Sequence, residues 1–364
     1  MKNIGLLTFH YPINYGALLQ TYATVKSIEK LGNKAIVIDY YSDDQIGHYD
    51  FYKKPQSFKN FIYYIVKSLF YFSFISKRNK FAEFRKKHFN LSPHYNTLDH
   101  IDFGKYDIVL TGSDQVFNLS KRDRLPYFQP FSKTINQRKA AYAPSFGISE
   151  FDLETQNLIK RLTQDFDFLS CREQWGTSFL KELTGKNVVN VLDPVFLLSS
   201  NEWSKLIEIR IIAEDYIFIY DLNGKGNLVK LAGVIKEKYN LKTVMVSNDP
   251  LAPIKNEYKG IDVIIKSSGI EEFVNLIKFS SFVLTDSFHG TAFSIIFRKS
   301  FYTYIALEKA SGRILSLLDN FEIKNRVVYK NDITRLIPSD IEYNEVAIES
   351  KIKLSKDYLE SIHK

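Results

Sequence analysis

Two doubly wound α/β domains facing a common cleft are what this sequence predicts, and three observations predict them. Short runs that are apolar throughout alternate with longer amphipathic stretches along most of the 364 residues. That is the pattern of parallel strands covered by helices on both faces. The runs fall into two series of six, with the join expected at 199–212, just after Asp193-Pro194. A composition of 45% apolar and 25% charged residues over this length gives each half a core of its own. Both halves therefore read as Rossmann-like units, with ligands expected where the carboxyl ends of the two sheets meet.

In the first series, strands are expected at 4–9, 34–40, 106–112, 139–144, 168–172 and 188–192, with helical periods at 18–31 and 153–163. In the second, strands are expected at 216–221, 243–247, 262–265, 282–286, 301–305 and 326–329, and helices at 228–239, 270–278 and 313–320. The domains expected are thus 1–200 and 213–340, and 341–364 reads as one helix packing back toward the hinge. The alternation fails at about 41–100, which reads as a helical insertion. Its segment 61–87 opens on the aromatic and aliphatic run from Phe61 to Ile75 and continues into Lys77, Arg78, Lys80, Arg85, Lys86 and Lys87. It fits either helices packed on the side of the first domain or an amphipathic element docking a partner or a membrane surface. Lys67 at its centre argues against a transmembrane span.

The charge balance is 49 basic against 41 acidic residues, a net +8 too diffuse to mark a nucleic-acid stripe. A single cysteine, Cys171, excludes a disulfide scaffold and suits a reducing cytoplasm. The N-terminal apolar run breaks at His10 and Pro12 and reads as a first strand, not a signal peptide. H-E-x-x-H, P-loop, G-x-S-x-G and G-x-G-x-x-G signatures are missing, and no acidic cluster suggests metal dependence.

Polar residues at strand ends carry the chemistry. In Asp286-Ser287-Phe288-His289-Gly290-Thr291, a buried strand gives way to a helix, which places a histidine beside free backbone N–H groups. Asp286 is expected to orient the imidazole or to cap the helix. Ser170-Cys171-Arg172-Glu173 aims an arginine into the cleft, unless it is a surface or interdomain ion pair; Cys171 reads as a buried small residue. The loop around Asn14, Tyr15 and Gly16 fits a close approach to a ligand or a plain turn. Asp114 fits a base for a hydroxyl or an N-cap. Lys309, Ser311 and Arg313 suggest a further anion contact near a helix start.

Taken in order, Asn14-Tyr15-Gly16-Ala17-x-x-Gln20, Gly112-Ser113-Asp114-Gln115, Tyr142-Ala143-Pro144-Ser145-Phe146-Gly147, Ser170-x-Arg172-Glu173, Asp193-Pro194 and Asp286-Ser287-Phe288-His289-Gly290 resemble the polysaccharide pyruvyl transferase family, from about residue 3 to about 320. The resemblance implies a GT-B-like fold and transfer of a pyruvyl group from phosphoenolpyruvate to saccharide hydroxyls as a ketal, in surface polysaccharide biosynthesis. It implies His289 and Arg172 in binding or activating the donor. With the residues themselves, it makes His289 the acid/base, Arg172 and the Gly290-Thr291 helix start the donor-binding groups, and Asp114 with Asn14 the acceptor contacts. Tyr15, Gly16, Glu173, Ser287, Lys309 and Arg313 complete the expected binding set. Several members carry Arg-Leu-His-Gly where this chain has Ser287-Phe288-His289-Gly290, so Arg313 or Lys309 is the expected compensating cation. No cofactor is expected beyond phosphoenolpyruvate as donor substrate. The expected partner is a saccharide acceptor, lipid-linked or free, with no nucleic acid, and the expected location is cytoplasmic or peripheral at the inner face of a membrane. The competing readings are a nucleotide-sugar glycosyltransferase and a non-catalytic scaffold in polysaccharide assembly.

Overall fold

The computed structural model describes residues 1–11, 13–41, 64, 65, 67–119, 122–223, 226–247, 249, 251–306 and 312–364. The first lobe is built on a four-stranded parallel sheet of order β2-β1-β3-β4, from β1 (Asn3–Leu7), β2 (Lys34–Val37), β3 (Ile108–Thr111) and β4 (Arg138–Ala141). β5 (Leu169–Cys171) and β6 (Val188–Asn190) form a separate parallel pair, joined to β4 by the single bridge Ala140–Phe168. The six strands of the first series are thus four plus two, β5 and β6 pairing with each other instead of extending the ladder of β4. The second lobe is a six-stranded parallel sheet of order β12-β11-β10-β7-β8-β9. Its strands are β7 (Tyr216–Asp221), β8 (Lys242–Ser247), β9 (Val263–Ile265), β10 (Phe282–Thr285), β11 (Ser300–Ile305) and β12 (Val327–Tyr329). Central β7 and β10 are buried at every position, as continuous apolar runs in a helix-covered parallel sheet must be.

The helices, in chain order, are α1 (Tyr15–Lys30), α2 (Tyr71–His88), α3 (Leu153–Thr163), α4 (Gln174–Thr184), α5 (Ser200–Ser204), α6 (Asn227–Tyr239), α7 (Ile270–Phe279), α8 (Phe288–Ile296), α9 (Gly312–Asn320) and α10 (Glu345–His363). Asn14 caps α1, its side chain accepting from the Ala17 N–H at 3.2 Å. α2 is the main helix in the described part of the insertion expected at 41–100, which also bridges Leu91 to Val37 and Tyr95 to Tyr40; residues 42–63 and 66 of it lie outside the described residues. It packs inward through Phe81 and Phe84, and its Lys80 pairs with Glu272 of α7.

The lobes meet through an apolar seam. The Tyr15 ring stacks on Phe273 with centroids 4.3 Å apart, and its hydroxyl donates to the Ser268 carbonyl at 2.8 Å. Trp203 touches Phe293 edge-on at 4.9 Å. Tail helix α10 spans the same seam. It starts on the second lobe, where Arg298 makes two bonds to Glu345 at 2.7 and 2.6 Å. It ends on the first, where the Tyr358 hydroxyl donates to the Ala141 carbonyl at 3.0 Å. Lys2 and Arg138 donate to its last carbonyls, at His363 and Ile362, 2.6 and 3.2 Å away, a favourable end for cations.

This docking makes acid stability predictable. Burial, seconded by the charges of Lys2 and Arg138, pushes the His363 imidazole down to about 4, and its Nδ1 accepts from the Asn33 amide at 3.2 Å. From about pH 6.5 downward the unfolded chain binds a proton that the folded protein refuses. The contribution is therefore complete above that pH and lost as the pH falls toward 4. Urea midpoints measured across this window should fall by an amount worth about 2 kcal/mol more in the parent than in His363→Gln.

Candidate active site

Arg172 is the first residue after β5, and burial of that strand fixes where its side chain emerges. Its guanidinium is buried and stacks on the Phe288 ring, 4.3 Å from the centroid. Nη1 donates to Asp193 Oδ2 at 2.5 Å and reaches Ser113 Oγ at 3.5 Å. Nε and Nη2 are buried with no hydrogen-bond acceptor. Asp193 follows β6; its Oδ1 accepts from the Val195 N–H at 3.1 Å, which starts the 3-10 turn Pro194–Leu197. Its Oδ2 also accepts from Ser113 Oγ at 2.9 Å. Burial alone would raise this carboxyl. The His289 and Arg172 charges and the Val195 N–H overcome that and hold it well below the usual carboxylate range.

The second lobe supplies the other half. At the end of β10, the Thr285 hydroxyl accepts from the Ser287 N–H at 3.0 Å, and Ser287 becomes the N-cap of α8, its Oγ accepting from Gly290 N at 3.4 Å. His289 lies in the first turn of this helix. Its Nε2 faces Asp193 Oδ2 across 3.6 Å, beyond a hydrogen bond but inside strong electrostatic reach. The opposite edge of the ring lies against the backbone of Gly16, where a β carbon would collide with Nδ1, Cε1 and Cγ. An arginine of one lobe and a histidine of the other thus converge on one buried carboxylate oxygen.

Beside them is a cavity of about 350 Å³, walled by Asn14, Asp114 and Gln115 of the first lobe and by Asp286, Ser287, His289 and Arg313, among others, of the second. Asp114 occupies left-handed backbone, φ 73°, unusual for a side chain other than glycine and a form of strain that clusters at functional sites. Its Oδ1 is 3.9 Å from both Arg172 Nη2 and Arg313 Nη1. The Gln115 amide oxygen accepts from Arg313 Nη2 and Nη1 at 3.0 and 3.1 Å. Burial, then the like charge of Arg172, lowers the Arg313 guanidinium from its ordinary value. Two desolvated cations pressed together favour a bound anion, as do the first-turn N–H groups of Phe288 and His289, which have no acceptor within α8.

Of the residues expected from sequence, His289, Asp114, Asn14, Ser287 and Arg313 line this cavity, Arg172 is buried beside it against Asp193 and Phe288, and Gly16 abuts the imidazole. Expectations at five residues are corrected. Tyr15 is fully buried in the interlobe seam and faces no ligand. Glu173 is also fully buried, accepting from Ser145 Oγ and the Cys171 thiol, so it supports the turn rather than a substrate. The Thr291 hydroxyl is spent on the Ser287 carbonyl and Thr303 at 2.9 and 2.8 Å. Gly290 gives its N–H to Ser287 and packs against Thr285, so the open helix start belongs to Phe288 and His289. Asp286 neither orients the imidazole nor caps α8; it clamps the next loop, accepting from Leu222 N, Asn223 N and Asn223 Nδ2 at 2.7, 3.0 and 2.6 Å. Lys309 and Ser311 lie outside the described residues. Burial and the neighbouring Glu173 push the Cys171 thiol up, which leaves it unreactive. Two residues of the site stand in the sequence motifs but were given no role there: Asp193, which read as a turn before proline, and Gln115, which carries no charge to attract attention.

Two lobes of parallel sheet with the site at their facing carboxyl ends define the GT-B class of fold. Solved structures with this fold resemble the chain over nearly its whole length. UDP-GlcNAc 2-epimerase from Neisseria meningitidis aligns over 100% of this chain and 99% of its own at 12% identity, TM-score 0.50. The Methanocaldococcus jannaschii UDP-GlcNAc 2-epimerase aligns over 97% and 98% at 13% identity, TM-score 0.51. Arabidopsis thaliana UGT89C1 aligns over 98% and 94% at 9% identity, TM-score 0.50. At these identities the likeness is one of fold. No curated protein matches the sequence. Residues 14–306 match the model of the polysaccharide pyruvyl transferase family, and the chain belongs to that family. It is a transferase by that membership. Among the described residues, no helix is long and apolar enough to cross a membrane, and no group of three or more His, Cys, Asp or Glu could hold a metal ion.

Proposed function

We propose that this protein transfers the pyruvyl group of phosphoenolpyruvate to two hydroxyls of a saccharide, free or lipid-linked, releasing phosphate and leaving a cyclic ketal. One observation carries the reading: Arg172 and His289 meet at Asp193 from opposite lobes, with Arg313 completing a cationic wall. Phosphoenolpyruvate is a small, multiply charged anion, and a desolvated pair of guanidiniums beside an open helix start suits its phosphate and carboxylate. His289 delivers a proton to the methylene carbon as the C2–C3 double bond breaks, leaving an oxocarbenium-like C2. A first saccharide hydroxyl adds to C2 and gives up its proton, with Asp114 and Asn14 as its contacts. The proton of that hydroxyl returns to the His289 imidazole that gave one up; the C2–O bond to phosphorus then breaks, and the second hydroxyl closes the ring at C2 as phosphate leaves carrying its proton. A placed acid contributes ~10²–10⁴-fold, and positioning between the lobes with charge stabilisation supplies the rest.

The test begins with melting curves. Phosphoenolpyruvate should raise the melting temperature by a few degrees at saturation, and Arg172→Lys should abolish that rise. His289→Gln should keep the rise yet release phosphate ~10²–10⁴-fold more slowly when a saccharide acceptor is present. A rise seen only with nucleotide sugars would overturn the donor assignment in favour of glycosyl transfer.

A further inference from the structure

The segment 61–87 carries seven basic side chains against Glu83 alone, a net +6 of the chain's +8. Part of that charge anchors α2 to the body. Lys77 is buried with its ammonium 4.7 Å from the Tyr15 ring centre. Lys80 pairs with Glu272, and Arg85 lies over the Tyr11 ring at 4.6 Å while donating to the Tyr11 carbonyl at 3.1 Å. Arg78 and Lys86 are exposed, and neither has an ion-pair partner among the described residues. At the start of the helix and just before it, large apolar side chains face solvent: Ile65 is 55% exposed, Leu69 78% and Phe72 84%. Phe72 and Lys86 are fourteen positions apart, about four helical turns, so both lie along one outward stripe.

A bare aliphatic and aromatic tip continuing into unpaired cations is an interfacial element. Among the described residues nothing covers the apolar end, and the cationic end selects what does. We propose that Leu69 and Phe72, with Arg78 and Lys86 behind them, seat this protein on an anionic lipid surface. The apolar tip enters the headgroup boundary, and the cations bind the lipid phosphates. The inference is independent of the donor. It has a consequence for the cleft all the same, because α2 packs on Tyr15 and Glu272, at the seam between the lobes.

The test is sedimentation of the full chain with vesicles of phosphatidylglycerol and phosphatidylcholine in equal parts, against phosphatidylcholine alone. The protein should pellet with the anionic vesicles only and be released by high salt. Leu69→Ser with Phe72→Ser should weaken partitioning on the order of tenfold or more, and Arg78→Glu with Lys86→Glu by a similar factor, the latter loss being salt-sensitive. Unchanged melting temperatures will show that these surface variants fold. Failure to pellet with anionic vesicles, or pelleting unaffected by either pair, would overturn the proposal. So would light scattering that shows a dimer dissociated by Leu69→Ser with Phe72→Ser, because a second copy would then own the patch.

Discussion

Asp193→Asn should lower turnover by about 10²–10³-fold while leaving a folded protein that melts with about 3 kcal/mol less stability. The carboxylate is buried and its Oδ2 holds Arg172 Nη1 at 2.5 Å and Ser113 Oγ at 2.9 Å, 3.6 Å from His289 Nε2. An amide keeps the shape but removes the charge, which leaves the guanidinium uncompensated in a dry site and the imidazole without its counter-ion. Ser113→Ala is the control. It deletes one hydroxyl donor to the same carboxylate oxygen without touching its charge, and should cost about 1.5–3 kcal/mol, with little change in rate. Urea melts and initial rates of phosphate release measure both quantities. If Asp193→Asn turned over as fast as Ser113→Ala, the shared carboxylate would be a packing element only.

Gly16→Ala should separate stability from activity. Position 16 is in α1, and alanine normally stabilises a helix by about 0.5–1 kcal/mol relative to glycine. Here the new methyl would occupy the space of the His289 imidazole, and the seam around Tyr15 leaves the helix no room to retreat. The ring must rotate away from Asp193, or the lobes must part. Turnover should therefore drop by about 10²-fold or more, with the larger share in kcat, whereas Gly233→Ala on the open face of α6 should leave turnover unchanged. Ser in place of Gly16 should act like Ala, because the obstacle is the β carbon itself.

Which residues gather at the candidate site was readable where the chemistry was local. A buried strand that ends in a polar side chain directs that side chain toward the cleft, and this placed Arg172, Asp114, Ser287 and His289 at the meeting of the two sheets. The lobes were readable for the same reason, since fully apolar runs such as 282–285 have one use in a protein of this composition. What escaped was long-range. Asp193 lies far from His289 along the chain, and the proline after it made it look like a turn; its role exists only once both lobes have folded. Tyr15 was misread because a tyrosine in a polar loop looks wet, yet the loop dives under α7 and the ring is stacked there. Thr291 was misread because the helix begins at Phe288, two residues before the start expected at Gly290-Thr291, and a helix start offers only its first few N–H groups. The strands β5 and β6 were counted into the main sheet because their apolar runs look no different from those of β9 and β12, equally short strands that do join one.

The tail helix has a consequence for how this molecule can be taken apart. Tyr358, Leu359 and Ile362 are covered by the first lobe, although they come last in the chain. A fragment ending between the lobes would lack its own lid and present Tyr142 and its neighbours to water. The two halves are therefore not separable modules to be expressed, swapped or recombined at will. They behave like a folded book with its cover glued across the spine, and a chimaera that exchanges either half must carry the matching final helix with the first.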